Sequence, residues 1–139
     1  MKKLIFYYTH KESLGHTTRS LSIIDALNRN YGKNLKTYVF QAGKPQDYLL
    51  IPKDTQVFHL PNPYYRSANF KKYSQALFQP LNSRARAEYM LRLIKKINPD
   101  IFVTEFFPFG RHESRFELLP VLTYLKRKKI RICASIGYP

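Results

Sequence analysis

The sequence has no tryptophan, one cysteine and few acids: 9 Asp and Glu stand against 24 Lys and Arg in 139 residues. A single cysteine excludes a disulfide framework and a cysteine-built zinc site, and it fits a reducing, cytoplasmic compartment. Cys133 lies in the apolar run Ile130 to Ile136, which predicts a buried core thiol. Long hydrophobic runs are also missing. Nothing approaches the roughly 18 apolar residues of a spanning helix, and the apolar stretch behind Met1-Lys2-Lys3 is too short for a signal peptide. The shortage of acid leaves a formal charge of +15. Such a balance favours an anionic partner without choosing among nucleic acid, acidic lipid and a phosphorylated ligand. The only tight basic run, Lys126 to Lys129, falls at a predicted helix end, where cations complement the dipole; a solvated helix end is the simpler reading there. The dinucleotide pattern G-x-G-x-x-G is absent, because Ser13 stands where its earlier glycine would be. NAD and FAD are therefore unsupported, no cofactor is implied, and no Ser-His-Asp or metal-ligand spacing emerges.

What is present alternates. Lys3 to Thr9 reads as a buried strand, a continuous apolar run ended by polar residues. Thr17 to Asn30 reads as a helix with Leu21, Ile24 and Leu27 at helical spacing, capped by Thr17 or Thr18 and closed at Tyr31-Gly32. Leu35 to Gln41 and Gln56 to Leu60 read as strands, and Pro61 to Pro80 as a long irregular connection. Asn82 to Ile97 reads as a helix with Tyr89, Met90, Leu93, Ile94 and Ile97 on its apolar face between Arg84, Arg86, Glu88, Arg92 and Lys95. Asn98-Pro99-Asp100 stops it. Ile101 to Thr104 is a short strand and Ile130 to Ile136 the last one. Between them Phe116 to Lys128 is a helix with Leu118, Leu119, Leu122 and Leu125 inward, Pro120 being tolerable in a first turn. The order β-α-β-β-α-β-α-β predicts one domain over residues 1–139: an open, mostly parallel Rossmann-like sheet with helices on both faces.

Two loops follow predicted strands and would open on the same edge of a parallel sheet. The first is Ser13-Leu14-Gly15-His16-Thr17-Thr18-Arg19. A helix N-terminus offers unpaired N–H groups and the positive end of a dipole, and it keeps an imidazole neutral. His16 could therefore take a proton from a hydroxyl, or simply cap the turn; position alone does not separate the two. Arg19 in a first helical turn is electrostatically misplaced, which implies a nearby anion or exposure to water, the latter slightly preferred. Gly15 permits close backbone approach. The second loop is Thr104-Glu105-Phe106-Phe107-Pro108-Phe109-Gly110-Arg111. Glu105 could bind a substrate hydroxyl or orient His16, or else pair with Arg111 or Arg115. Phe106, Phe107 and Phe109 read as loop packing. His10 and His59 have no partner pattern.

These residues resemble a known family. Phe6-Tyr7-Tyr8 with Leu14-Gly15-His16-Thr17-Thr18-Arg19, then Pro99 through Arg111, then Arg115-Phe116-Glu117-Leu118-Leu119-Pro120, is similar to the N-terminal half of GT-B glycosyltransferases. The nearest group is the MurG-like one, glycosyltransferase family 28. The resemblance implies transfer of a sugar from a nucleotide-sugar, the co-substrate, to an acceptor hydroxyl. It implies His16 and Glu105 as catalytic residues, and Ser13, Leu14, Gly15, Thr17 and Arg19 in the loop facing the diphosphate. Phe107, Phe109, Gly110 and Arg111 would stand on the acceptor side. The donor-binding C-terminal domain expected of that fold is absent from the 139 residues, so a partner subunit or a further segment would supply it. The basic surface would suit a lipid-linked acceptor on the anionic inner face of a membrane. A non-catalytic module that binds a partner or membrane is the alternative; no recognition motif points to nucleic acid.

Overall fold

The computed structural model describes residues 1–10, 15–43, 51–61 and 80–137. Strand β1 (Lys2–His10) is followed by helix α1 (Gly15–Tyr31), a 3₁₀ turn (Gly32–Asn34) and β2 (Leu35–Gly43). Then come β3 (Thr55–His59), α2 (Pro80–Ile97), β4 (Ile101–Glu105), a second 3₁₀ turn (His112–Ser114), α3 (Arg115–Arg127) and β5 (Arg131–Ser135). The strands form one five-stranded sheet in the order β3-β2-β1-β4-β5, and every pairing is parallel. The expected Rossmann-like sheet is thus present and wholly parallel. Most of the expected Pro61 to Pro80 connection, residues 62–79, lies outside the described residues.

Two cores divide the side chains of β1. Ile5 and Tyr7 point to the face covered by α2 and α3, with Phe40, Phe102, Met90, Ile94, Leu118, Val121 and Leu125. On that face Phe40 meets Phe58 edge-on at 6.0 Å and Phe102 at 6.3 Å between centroids. Leu4, Phe6 and Tyr8 point the other way, against Leu21 and Ile24 of α1. Each such side chain, fully buried, contributes about 1.5–3 kcal/mol, so a run apolar at every position is what a strand between two helical layers needs.

Several local expectations change. α1 begins at Gly15, so Thr17 lies inside the helix and cannot cap it, and Arg19 falls just past the first turn, where the dipole penalty has faded. Gly32 does end that helix, at φ +51°. α3 begins at Arg115, which puts Pro120 in the second turn rather than the first. Pro120 and Phe116 are both exposed, so the carbonyl that the proline leaves unpaired can meet water. Leu119 points outward, 52% exposed, and Val121 takes the inward place. Cys133 is exposed. Its register neighbour is Val103, on the face where α1 packs against β1 and β2 and no described helix covers β5. Arg86, read as a polar flank of α2, is fully buried.

Candidate active site at the carboxyl edge

The strand order reverses between β1 and β4, and in open parallel sheets that crevice, beyond the carboxyl ends, is where ligands bind. α1 leaves β1 on one side of it and Glu105 ends β4 on the other. Glu105 is 3% exposed. Arg19, reaching down from α1, brings Nη1 to 3.9 Å from Glu105 Oε1. The ion pair seen is thus with Arg19 rather than with Arg111 or Arg115, the pairing that stood as one alternative for Glu105. Arg115 instead donates to the His112 carbonyl at 2.8 Å and lies over Phe116.

Two further contacts hold the Arg19 guanidinium, so it is not the free surface cation preferred from sequence. Nη2 donates to Ser135 Oγ at 3.0 Å, at the end of β5. The guanidinium carbon sits 5.1 Å from the Phe106 ring centroid, a cation–π distance. Gly137 closes the far side: a Cβ there would stand 3.0 Å from Phe106 Cζ and 3.3 Å from Arg19 Cζ. Arg19 Nη1 and Ser20 Oγ are buried and lack hydrogen-bond partners. Tyr8, one residue past the last β1–β4 pair of Tyr7 with Thr104, has its phenol pushed well above the ordinary range, first by burial and then by the charge of Glu105.

The loop after β4 is built by its own backbone. Phe106 takes φ +65° and donates to the Ser135 carbonyl at 2.8 Å, while Phe109 donates to the Phe106 carbonyl at 2.7 Å. Thr104 Oγ1 donates to the Phe107 carbonyl at 2.6 Å, and the Phe107–Pro108 peptide is cis. Phe107 is buried in the core, as packing requires, but Phe109 is 70% exposed. Gly110 and Arg111 are half-buried beside it, Arg111 with a left-handed backbone.

The backbone of Gly15, His16 and Thr17 forms the first turn of α1, with Gly15 exposed and Thr17 buried. Ser13 and Leu14 lie outside the described residues. Sequence reasoning missed Ser135 and Gly137, whose signal was a small-residue end to the last strand. It also missed a polar cluster on the opposite face. There Arg86 Nε donates to Glu117 Oε2 at 2.7 Å, both side chains fully covered, and the Tyr7 hydroxyl lies 3.2 Å from Thr9 Oγ1. Burial pushes the Glu117 carboxyl up, with Arg86 and the Tyr7 hydroxyl pulling against it. Arg86 stands four residues before Met90 and eight before Ile94, so its place on the core stripe was readable from spacing. Among the described residues no group of His, Cys, Asp and Glu could hold a metal ion.

The family model described as Glycosyl transferase family 1 matches residues 3–136. Among solved structures, a ugt transferase from Siraitia grosvenorii in complex with UDP is similar, with a TM-score of 0.59 at 17% identity. The match covers 98% of this chain and 28% of that one, so the chain spans little over a quarter of the neighbour's length, and the likeness is one of fold. No curated protein matches.

Proposed function

Since the chain belongs to glycosyl transferase family 1, we propose that its carboxyl edge forms the acceptor-side wall of a cleft for sugar transfer from a nucleotide-sugar. The observation that carries this reading is the Arg19–Glu105 pair, set across the point where the strand order reverses. A UDP-sugar is the donor class, by analogy with the ligand named for the structural neighbour. The likeness of the two loops to the MurG-like group supports the acceptor-side assignment.

Glu105 is nearly covered and its charge is engaged by Arg19, so we assign it to holding the guanidinium, and His16 to the base. His16 takes the proton of the acceptor hydroxyl; the acceptor oxygen bonds to the anomeric carbon as the bond from that carbon to the diphosphate oxygen breaks. The nucleoside diphosphate departs with the electron pair. N–H groups at the start of α1, around Gly15 and Thr17, and the dipole behind them suit that developing negative charge. Exposed Phe109, with Gly110 and Arg111, offers a surface for the acceptor. The donor-binding half comes from a longer polypeptide or from a partner subunit.

The test is transfer from a panel of UDP-sugars by the protein completed with its donor-binding half. His16→Ala is expected to lower kcat by about 10²–10⁴. Arg19→Ala and Glu105→Gln should lower it less and by similar factors, since they act as one unit. Full turnover in His16→Ala would overturn the base assignment. A complete protein that binds an acceptor but transfers to none would point to a non-catalytic module.

A further inference from the structure

The opposite, amino edge of the sheet carries a different chemistry. α2 ends there in Lys95 and Lys96, and α3 ends there and runs on through Lys128 and Lys129. Arg131 opens β5 beside them. All are exposed. Lys95 Nζ, the Arg127 guanidinium and Lys128 Nζ crowd one ring, lying 5.5, 5.7 and 5.9 Å from the Tyr124 centroid. Asp100, just before β4 on this edge, has its carboxylate engaged by β1: Lys2 Nζ at 3.8 Å and the Lys3 N–H at 2.8 Å.

Helix dipoles account for the cations in the last turns, but not for Lys128, Lys129 and Arg131, which lie beyond them. Lys129 carries a further cost. The Ile130 N–H bonds to the Leu125 carbonyl and the Lys129 N–H to that of Lys126, each at 3.0 Å. This is the helix-ending turn whose left-handed position glycine normally fills. Lys129 occupies it at φ +59°, where a side chain is strained. A glycine at this position would be more stable, so the lysine stands there at a cost to the backbone.

We propose that this edge is a docking face for an anionic lipid bilayer. Two observations favour lipid over nucleic acid. Met1 is 78% exposed and Tyr31, at the end of α1, 58% exposed on the same edge, an apolar and an amphipathic side chain suited to an interface. The Tyr124 ring is covered by cations, which leaves it unavailable for stacking a base. Seated this way, the crevice of Arg19 and Glu105 opens away from the lipid, beyond the nine residues of β1, or about 26 Å of strand. The docking face stands apart from the transfer reading, because binding a vesicle needs neither donor nor acceptor.

The test is co-sedimentation of the full chain with phosphatidylcholine vesicles, with and without about one-third phosphatidylserine, at physiological salt. Binding only to the acidic vesicles, released by high salt, is the expected result. Lys129→Gly should weaken partitioning about fivefold, the share of one cation near an acidic leaflet, while raising the thermal midpoint; misfolding cannot then explain the loss. Arg84→Gln, an equal change of charge near the other end of α2, should leave binding unchanged. Equal binding to neutral vesicles, or equal effects of the two substitutions, would overturn the proposal. So would duplex DNA or RNA that displaces the chain from acidic vesicles at lower concentration than free lipid headgroup.

Discussion

A methyl group added at Gly137 would have to displace Phe106 or Arg19, which stand 3.0 and 3.3 Å from where it would sit. Gly137→Ala should therefore loosen the Arg19 clamp and cost about 1–3 kcal/mol, as overpacking does, measured by urea denaturation. Arg86 and Glu117 make a second residue-scale case. A buried pair is weak evidence of net stability, but breaking one side leaves an uncompensated charge. Arg86→Met alone should cost about 3–5 kcal/mol, and adding Glu117→Leu should recover most of it. Additive losses in that double-mutant cycle would show that the two side chains do not work as a pair. Gly137 does not stand out in the sequence, because glycine and serine near a strand end are common; Arg86 does fall on the apolar stripe of α2, and only its charge argues against burial there.

At the scale of elements, hydrophobic period did most of the reading. β1, α1, α2 and β4 appear where their apolar spacing puts them, because a run buried on both faces and a 3.6-residue stripe leave different patterns. The errors share one cause. Apolar runs report that a strand is shielded somewhere, not how many layers shield it, so Cys133 was expected inside and lies exposed on β5. Likewise Leu119 and Val121 are both apolar, and only the crossing of α3 over the sheet decides which of them turns inward. The site was legible as two loops on one edge, whereas the Arg19–Glu105 contact needed the register of β1 with β4. The exposed position of Cys133 has a direct check. The native chain should react with a thiol-specific reagent at close to the rate of a small free thiol; strong protection relieved only by denaturant would mean that something covers β5.

For the molecule as a whole, the two buried phenols of β1 predict a loss of stability at alkaline pH. Burial and the charge of Glu117 hold Tyr7 above the ordinary range, and burial with Glu105 does the same for Tyr8. Both groups are raised in the folded chain, so their contribution to stability is complete below about pH 10, the unfolded phenol's value. It is lost as pH rises beyond that, because only the unfolded chain releases those protons. Stability measured against pH should fall above this point by up to about 1.4 kcal/mol per pH unit for each phenol, and Tyr8→Phe should remove one share of the slope. An unchanged slope in that variant would mean that Tyr8 ionises freely in the native state.

The wholly parallel sheet also dictates an order of assembly. β1 pairs with β2 through a local crossover, yet its other edge waits for β4, and the Lys3–Asp100 bond joins positions 97 apart. Between the end of β2 at Gly43 and the start of β4 at Ile101 the ribosome must add 58 residues (101 − 43), which takes roughly 3–12 s at cellular synthesis rates. For that interval the central strand of the sheet has one free edge. Nascent chains halted short of β4 should be the species most prone to aggregate and most dependent on chaperones.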